Sequence, residues 1–120
     1  MTTQARVNRA AREQLRLGEL AELGIDSPLK LDLVARLMAE PAHEFQVAAL
    51  AARAGKSVGA VRHALEELAL HGFVRHERFY NRETSSFTAD PALALRLVRL
   101  IGRTSAARRQ LRFALLSSRG

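Results

Sequence analysis

Apolar residues recur every three or four positions along most of the chain, which is the spacing of one face of a helix. This pattern predicts a helix over residues 3–23 that ends at Gly24, where glycine commonly follows a helix. A second helix is predicted to be capped by Ser27 and to begin at Pro28. It ends before Pro41, because the residue preceding a proline is pushed out of helical geometry.

The middle of the chain contains shorter elements in a particular order. Residues 44–46 form a polar–apolar–polar link that could be a minor strand, and residues 47–53 form a brief alanine-rich helix. A tight glycine-containing turn at residues 54–56 follows, and a longer helix runs over residues 57–70 with a serine at its cap position. Residues 73–77 are then predicted to be extended.

The last part of the chain is predicted to close a hairpin and add two helices. Residues 78–85 are predicted as a polar, turn-like segment and residues 86–88 as the return strand. Asp90 caps the next helix, which breaks or bends within residues 102–105 before a final helix. A support helix, two helices joined by a short turn and a basic hairpin are the order of a winged helix-turn-helix. The predicted fold class is mainly α with a small β-hairpin wing and with N- and C-terminal helical extensions.

Charge is segregated along the chain. The net charge of +7 comes entirely from the last thirty residues, which hold seven arginines and no acidic residue, whereas residues 1–90 are balanced. Arginine outnumbers lysine 17 to 2, and arginine binds phosphate through two parallel hydrogen bonds. A GC-rich genome would explain the arginine bias equally well, but not the segregation. The C-terminal arginines either add phosphate contacts or form the solvated face of a dimerisation helix, and binding to anionic membrane is a less favoured alternative.

The stretch AGKSVGAVRHALEELALHGFVRHER, residues 54–78, resembles the helix-turn-helix and wing of ArsR-type bacterial transcription regulators. The resemblance covers about residues 28–90 and implies a bacterial or archaeal DNA-binding regulator that dimerises through both terminal helices. The segment FTADPALALRLVRLIGRT, residues 87–104, also resembles winged-helix modules found beside nucleotidyltransferase domains. The positions that match the ArsR-type pattern are Gly55, Ser57, Val61, Arg62, His63, Leu65, Leu68, Gly72, Phe73 and Val74.

In such folds the second helix of the helix-turn-helix enters the major groove of DNA and the wing follows the backbone or the minor groove. The residues predicted to contact DNA are Lys56, Ser57, Val58, Gly59, Arg62 and His63 around that helix, and Arg75, Arg78 and Arg82 on the wing. The first turn, Val58-Gly59-Ala60, offers no bidentate hydrogen bond to a base. Affinity is therefore expected to rest mainly on phosphate contacts and DNA shape.

Several apolar side chains have two interpretations. The leucine stripes of the terminal helices suit a subunit interface, and they suit an intramolecular core almost as well; they consist of Leu17, Leu20, Leu93, Leu97 and Leu100. At the predicted wing tip, at least one of Phe79 and Tyr80 is expected to pack back onto the body.

Motifs for catalysis, metal binding or membrane insertion are missing from the sequence. There is no cysteine, the four histidines lack ligand spacing, and the adjacent Glu66 and Glu67 project in different directions. No glycine-rich phosphate loop and no run of about 18 apolar residues occur. We therefore expect no enzymatic activity, no cofactor, no metal site and no membrane partner, and a cytoplasmic, nucleoid-associated location.

The sequence favours a transcription regulator that binds double-stranded DNA as a homodimer. No motif identifies an effector ligand for it. Residues 1–26 would be an N-terminal helix with a possible role in dimerisation, and residues 27–90 the DNA-binding winged helix. Residues 91–120 would be basic helices for dimerisation or DNA contact. Two alternatives stay open: a protein-interaction module that partners a nucleotidyltransferase or a nucleoprotein complex, and a sequence-independent architectural DNA-binding protein.

Overall fold

A computed structural model of the chain describes residues 2–102 and 105–118, which form helices around a small antiparallel sheet. The helices are α1 (Thr2–Glu22), α2 (Pro28–Ala39), α3 (Val47–Ala54), α4 (Val58–Leu70), α5 (Pro91–Ile101) and α6 (Ser105–Ser118). The strands are β1 (Phe45–Gln46), β2 (Val74–Phe79) and β3 (Arg82–Phe87). This order confirms the predicted fold class, a helical protein with a hairpin wing and helical extensions.

Three helices begin where their capping residues predict. A side-chain oxygen accepts a hydrogen bond from the backbone N–H three residues later at Ser27 (3.2 Å), Ser57 (3.1 Å) and Asp90 (2.9 Å). Such a bond satisfies one of the backbone donors that the first helical turn leaves without a partner. At the other end of α3, Gly55 adopts a left-handed conformation (φ +66°), which is readily available to glycine and turns the chain toward α4.

The wing is longer than predicted. Residues 78–85 were expected to be turn-like, but β2 continues to Phe79 and β3 begins at Arg82, so only Tyr80 and Asn81 form the turn. Most of β3 is polar on both faces, which hides the alternation that marks a strand in sequence. Its strand conformation comes instead from its central position in the order β1-β3-β2, because it pairs antiparallel with a neighbour on each side.

One hydrophobic core joins the terminal helices to the winged helix. It includes Leu17 and Leu20 of α1, Leu97 and Leu100 of α5, and side chains from α2, α3, α4 and the sheet, while Leu93 is partly buried against it. The intramolecular alternative therefore accounts for the burial of these leucines. Leu93 is the member of this set that keeps the most exposed surface, and whether these leucines also contact a partner subunit stays a prediction.

A buried lysine joins the second helix to the helix expected to meet DNA. Lys30 of α2 donates hydrogen bonds to Asp26 (2.9 Å) and to Glu67 of α4 (2.6 Å). Burial opposes the charge of Lys30, but the hydrogen bonds from its ammonium to Glu67 and Asp26 outweigh it and raise the pKa of the lysine. Residues of α2 thus hold the middle of α4 in place.

Candidate nucleic-acid interface

One face of α4 packs into the core and the other is turned outward, as its apolar spacing predicts. Val61, Leu65 and Leu68 are fully buried, whereas His63 is exposed and Arg62 is about one-third exposed. The start of the helix is open: Lys56, Ser57, Val58 and Gly59 are all exposed. Apart from its chain neighbours and the backbone of α4 itself, no atoms lie within 4 Å of the place that a Cβ on Gly59 would take. A flat approach to the first turn is therefore unobstructed.

Arg62 is not a free cation, because Glu83 of the wing binds it with both carboxylate oxygens. The Nε–Oε2 distance is 2.8 Å and the Nη2–Oε1 distance is 2.9 Å. The Glu83 side chain is only 12% exposed, and His76 Nε2 lies 3.0 Å from its Oε2. The second ring nitrogen of His76 lies 2.9 Å from the Ser85 hydroxyl. Glu83 therefore joins the predicted recognition helix to both strands of the wing.

The contact between Arg62 and Glu83 favours the ionised form of both side chains. Hydrogen bonds from Arg62, and then from His76, lower the pKa of Glu83 although burial opposes that shift. The same contact with Glu83 raises the pKa of Arg62. Two parallel hydrogen bonds between an arginine and a carboxylate fix the orientation of both side chains, in addition to the attraction between their charges.

Other predicted DNA-contacting cations also have acidic neighbours within the chain. His63 forms a pair with Glu67, whose pKa is lowered mainly by its hydrogen bond with Lys30. On the wing, Arg75 pairs with Glu77, and the contact of Arg82 with Glu44, the residue preceding β1, measures 3.3 Å. These pairs are largely exposed, where ion pairs are weak, so a phosphate could displace the carboxylates.

Two cations differ from these. Lys56 and Arg78 are exposed, and within residues 2–102 and 105–118 neither takes part in an ion pair. Lys56 stands just before the N-terminus of α4, where backbone N–H groups and the helix dipole favour an anion. Both are positioned to meet a phosphate without first losing an intramolecular partner.

The register of the hairpin separates the three wing arginines. Arg78 is paired with Glu83 on β3, and its neighbour Phe79 is paired with Arg82. Arg75 is four residues before Phe79 on β2, and therefore lies on the same face as Phe79. Since successive side chains of a strand point to opposite faces, Arg75 and Arg82 share one face of the wing and Arg78 lies on the other. A wing lying along a DNA strand would therefore present cations on both of its sides.

The wing tip and the start of α4 face each other across an open cleft. The cleft has a volume of about 500 Å³, and it is lined by Gln46, Ala48, Val58, Phe79, Tyr80, Asn81, Arg82 and Glu83. The expectation that Phe79 or Tyr80 packs onto the body was wrong, because their exposed fractions are 71% and 87%. The two rings contact each other instead, edge to face with centroids 4.5 Å apart. A two-residue turn places both side chains beyond the reach of the core.

The C-terminal arginines are gathered at a different place. Arg108, Arg109 and Arg112 of α6 line a cleft of about 290 Å³ together with Arg36 and Asp32 of α2. Helix α6 packs against α1, α2 and α5. Arg103 and Arg119 lie outside the described residues.

Nothing in the described part of the chain adds a metal site or a membrane span. Across residues 2–102 and 105–118, no three histidine or acidic side chains are grouped closely enough to hold a metal ion. Over the same ranges, no helix has the length and apolar character needed to cross a membrane.

Sequence reasoning missed the acidic residues of this surface. Glu44, Glu67, Glu77 and Glu83 each pair with a cation predicted to contact DNA, and His76 and Ser85 support one of those pairs. The available signal was the zero net charge of residues 1–90, which shows that acids equal in number to the cations had to be placed somewhere. Whether the nine predicted residues contact DNA stays a prediction.

No protein-family model matches the sequence, and a search of curated proteins found no similar sequence. Solved structures do share its fold. YusO from Bacillus subtilis is similar with a TM-score of 0.60 and 18% identity, over 97% of this chain and 77% of that one. The transcriptional regulator BldR from Sulfolobus solfataricus is similar with a TM-score of 0.56 and 22% identity, over 98% of this chain and 79% of that one. Reduced HlyU from Vibrio cholerae is similar with a TM-score of 0.52 and 17% identity, over 82% of this chain and 98% of that one. With α2 to β3 in the predicted order and these likenesses in fold, the chain is a winged helix-turn-helix protein.

Proposed function

We propose that this protein is an ArsR-like transcription regulator that binds duplex DNA as a homodimer, mainly through the DNA backbone. The observation that carries the proposal is the geometry of the start of α4 and the wing tip. The open start of α4 and the tip of the hairpin face one cleft, which Val58 and Arg82 line. Lys56, two residues before Val58, and Arg78, next to Phe79, are exposed. Cations beside a helix N-terminus attract phosphate strongly, and such contacts position a protein on DNA without reading its sequence.

The composition of the first turn of α4 supports a binding mode that relies on the backbone. Val58 can touch a thymine methyl group, but neither it nor Gly59 can form hydrogen bonds to a base through a side chain. Gly59 lowers helix propensity, yet no packing contact around it requires glycine. A close approach of DNA to the backbone of this turn would explain the residue. His63 would exchange its carboxylate partner for a phosphate, and Arg62, still bound by Glu83, would contact DNA only through its remaining N–H groups. Arg75, Arg78 and Arg82 would hold the strand beside the wing.

The proposed homodimer uses exposed side chains of the terminal helices. Large apolar side chains are exposed on α1 (Leu15), α5 (Leu95) and α6 (Phe113 and Leu116). Exposed apolar side chains on helices flanking a DNA-binding unit favour a second copy as partner, since single apolar residues are common on surfaces but groups of them mark interfaces. In sedimentation, a Phe113→Asp/Leu116→Asp variant should show half the mass of the wild type. Leu70→Asp, at the exposed end of α4, is the matched control, and equal masses for all three proteins would contradict the dimer.

Titration of a labelled duplex of mixed sequence at low and moderate salt tests DNA binding itself. Binding should be measurable at low salt and should weaken steeply as salt rises, because cations on the protein displace counterions from phosphates. An absence of binding at low salt would refute the proposal. A positive result would also be consistent with a location in the cytoplasm, where we propose that the protein meets chromosomal DNA.

The poor hydrogen-bonding capacity of Val58-Gly59-Ala60 also favours a second candidate, an architectural protein that binds DNA without sequence preference. Selection of bound sites from a random duplex pool separates the two functions. A regulator enriches one motif, with two half-sites about one helical turn apart in the case of a symmetric dimer. An architectural protein enriches only flexible or bendable DNA.

A further inference from the structure

The aromatic pair at the wing tip, Phe79 and Tyr80, has no partner in the core. Tyr80 has a positive φ of 54°, a conformation that non-glycine residues rarely adopt and that Asn81, its neighbour, would tolerate better. Phe79 contacts Tyr80 edge to face, so the two rings form one apolar unit at the apex. Backbone strain of this kind persists only where the surrounding structure imposes it, and it is concentrated at functional positions.

Within residues 28–90, the exposed phenylalanine and tyrosine rings are those at the tip, since Phe45, Phe73 and Phe87 lie in the core. Phe113, which is 72% exposed, lies outside the winged helix on α6. The tip residues are bracketed by Arg78 and Arg82, and the acids near them already have cationic partners. Glu83 is bound by Arg62, while Glu44 and Glu77, which line a cleft with Phe79 and Arg82, pair with Arg82 and Arg75. An apolar tip between cations is complementary to a nucleic acid, which offers flat base surfaces between phosphates.

The hairpin holds the wing tip in a fixed position relative to α4. Its two strands have six residues each, so each is roughly 20 Å long at about 3.3 Å per residue. Glu83 ties the distal half of the hairpin to α4 through Arg62. When α4 enters a major groove, the tip is therefore carried to the neighbouring minor groove as part of one rigid unit.

We infer that Phe79 and Tyr80 act as an aromatic wedge, which enters the minor groove of duplex DNA and packs against a partly unstacked base step. Arg78 and Arg82 hold the phosphates on either side of that step. This inference rests on the proposed DNA binding and adds to it a source of selectivity. Because α4 has few groups that read bases, the protein would discriminate by how easily a step unstacks, and pyrimidine–purine steps such as TpA unstack most easily.

The test compares affinities for three labelled duplexes that differ at one step. One duplex has a central TpA step, the second has ApA there, and the third carries a one-nucleotide gap at the same place, so that unstacking is already complete. The wild type should bind the gapped duplex most tightly and the ApA duplex least tightly. Tyr80→Ser and Phe79→Ser should lose most of this preference and bind the TpA duplex roughly 5- to 150-fold more weakly, the range that base–aromatic stacking provides.

Leu70→Ser is the matched control, since its side chain is as exposed as that of Tyr80 (87%) but lies at the far end of α4. It should retain the wild-type order of affinities. The protein also contains its own reporter: Tyr80 is the only tyrosine and there is no tryptophan, so tyrosine emission comes from the wing tip alone. That emission should be quenched by the TpA duplex, after correction for absorbance of the DNA, and to a smaller extent by the ApA duplex.

The outcomes separate the wedge from the proposed function. If the wild type binds none of the duplexes, DNA binding itself fails. If it binds all three equally and both serine variants bind like the wild type, DNA binding stands and the wedge is refuted. The wedge is equally refuted if single-stranded DNA of the same sequence binds more tightly than duplex. A change in sedimentation of the serine variants, without a change in their preference among duplexes, would assign the tip to contact with a second copy instead.

Discussion

Arg62 and Arg78 are both predicted to contact DNA, but their surroundings predict unequal effects when either is replaced by alanine. Glu83 holds Arg62 through two hydrogen bonds of 2.8 and 2.9 Å, so this pair adds no net charge to the surface. Arg78 has no ion-pair partner among the described residues and presents a full positive charge. Arg78→Ala should therefore weaken the salt dependence of binding, whereas Arg62→Ala should leave it nearly unchanged.

The size of the difference follows from counterion release. Each phosphate contact contributes about 0.9 to the slope of log affinity against log salt, so a dimer that loses Arg78 twice should lose about 1.8 from that slope. A rise from about 50 to about 200 mM salt weakens binding about 3.5-fold per contact. Over that range, the wild-type dimer should lose about 12-fold more affinity than the Arg78→Ala dimer.

Fluorescence anisotropy of a labelled duplex at four or more salt concentrations measures these slopes, and Glu83→Gln provides the control. Glutamine keeps the size of the side chain but removes the charge that holds Arg62. In the Glu83→Gln background, Arg62 becomes available to phosphate, and Arg62→Ala should then reduce the slope of the dimer by about 1.8 as well. Equal reductions for Arg62→Ala and Arg78→Ala in the wild-type background would refute the view that Glu83 occupies Arg62.

Three further predictions concern stability and its relation to binding. Gly59→Ala should raise the free energy of unfolding, measured by urea denaturation, by up to about 1 kcal/mol, because alanine is the better helix former and its methyl group meets no neighbour. Its DNA affinity, measured by anisotropy, should nevertheless fall, and an unchanged affinity would argue against close contact between DNA and the backbone. Leu65→Ala should lower the free energy of unfolding by about 2–5 kcal/mol in the same denaturation experiment, since Leu65 is fully buried, and a smaller loss would mean that the site collapses around the cavity. Glu83 has a pKa below its ordinary value of 4.5 in the folded protein, so its stabilising contribution is complete above pH 4.5 and is lost as the pH falls through the lower folded pKa. Between about pH 6 and about pH 3, the urea midpoint of the wild type should therefore fall more than that of Glu83→Gln. Parallel curves for the two proteins would contradict the lowered pKa.

Helix positions were predictable from sequence because their signals are local. Ser27, Ser57 and Asp90 each cap a helix with a hydrogen bond to a residue only three positions later. The buried stripe of α4 follows from residue spacing alone, and the wing could be expected after it from the order of elements. A resemblance over residues 54–78 added the expectation of DNA binding, which agrees with the winged helix-turn-helix fold.

The second wing strand was only partly predictable. Residues 82–86 have no apolar alternation, and their strand conformation depends on backbone pairing with β1 and β2 on both sides. The wrong expectation for Phe79 and Tyr80 follows from the same error. A long turn could have folded them onto the body, whereas a two-residue turn between six-residue strands leaves no backbone to bring them back.

By itself, the sequence determined the helices, their caps, the buried face of α4 and the presence of a basic surface, because each depends on neighbours within a few positions. Only the tertiary structure decided which cations of that surface are available to DNA. Arg62 and Glu83 are 21 residues apart, and the contact of Arg82 with Glu44 spans 38. Ion pairs of this range form because packing of the core places α4, β1 and the wing side by side, and no local pattern of charge records that arrangement.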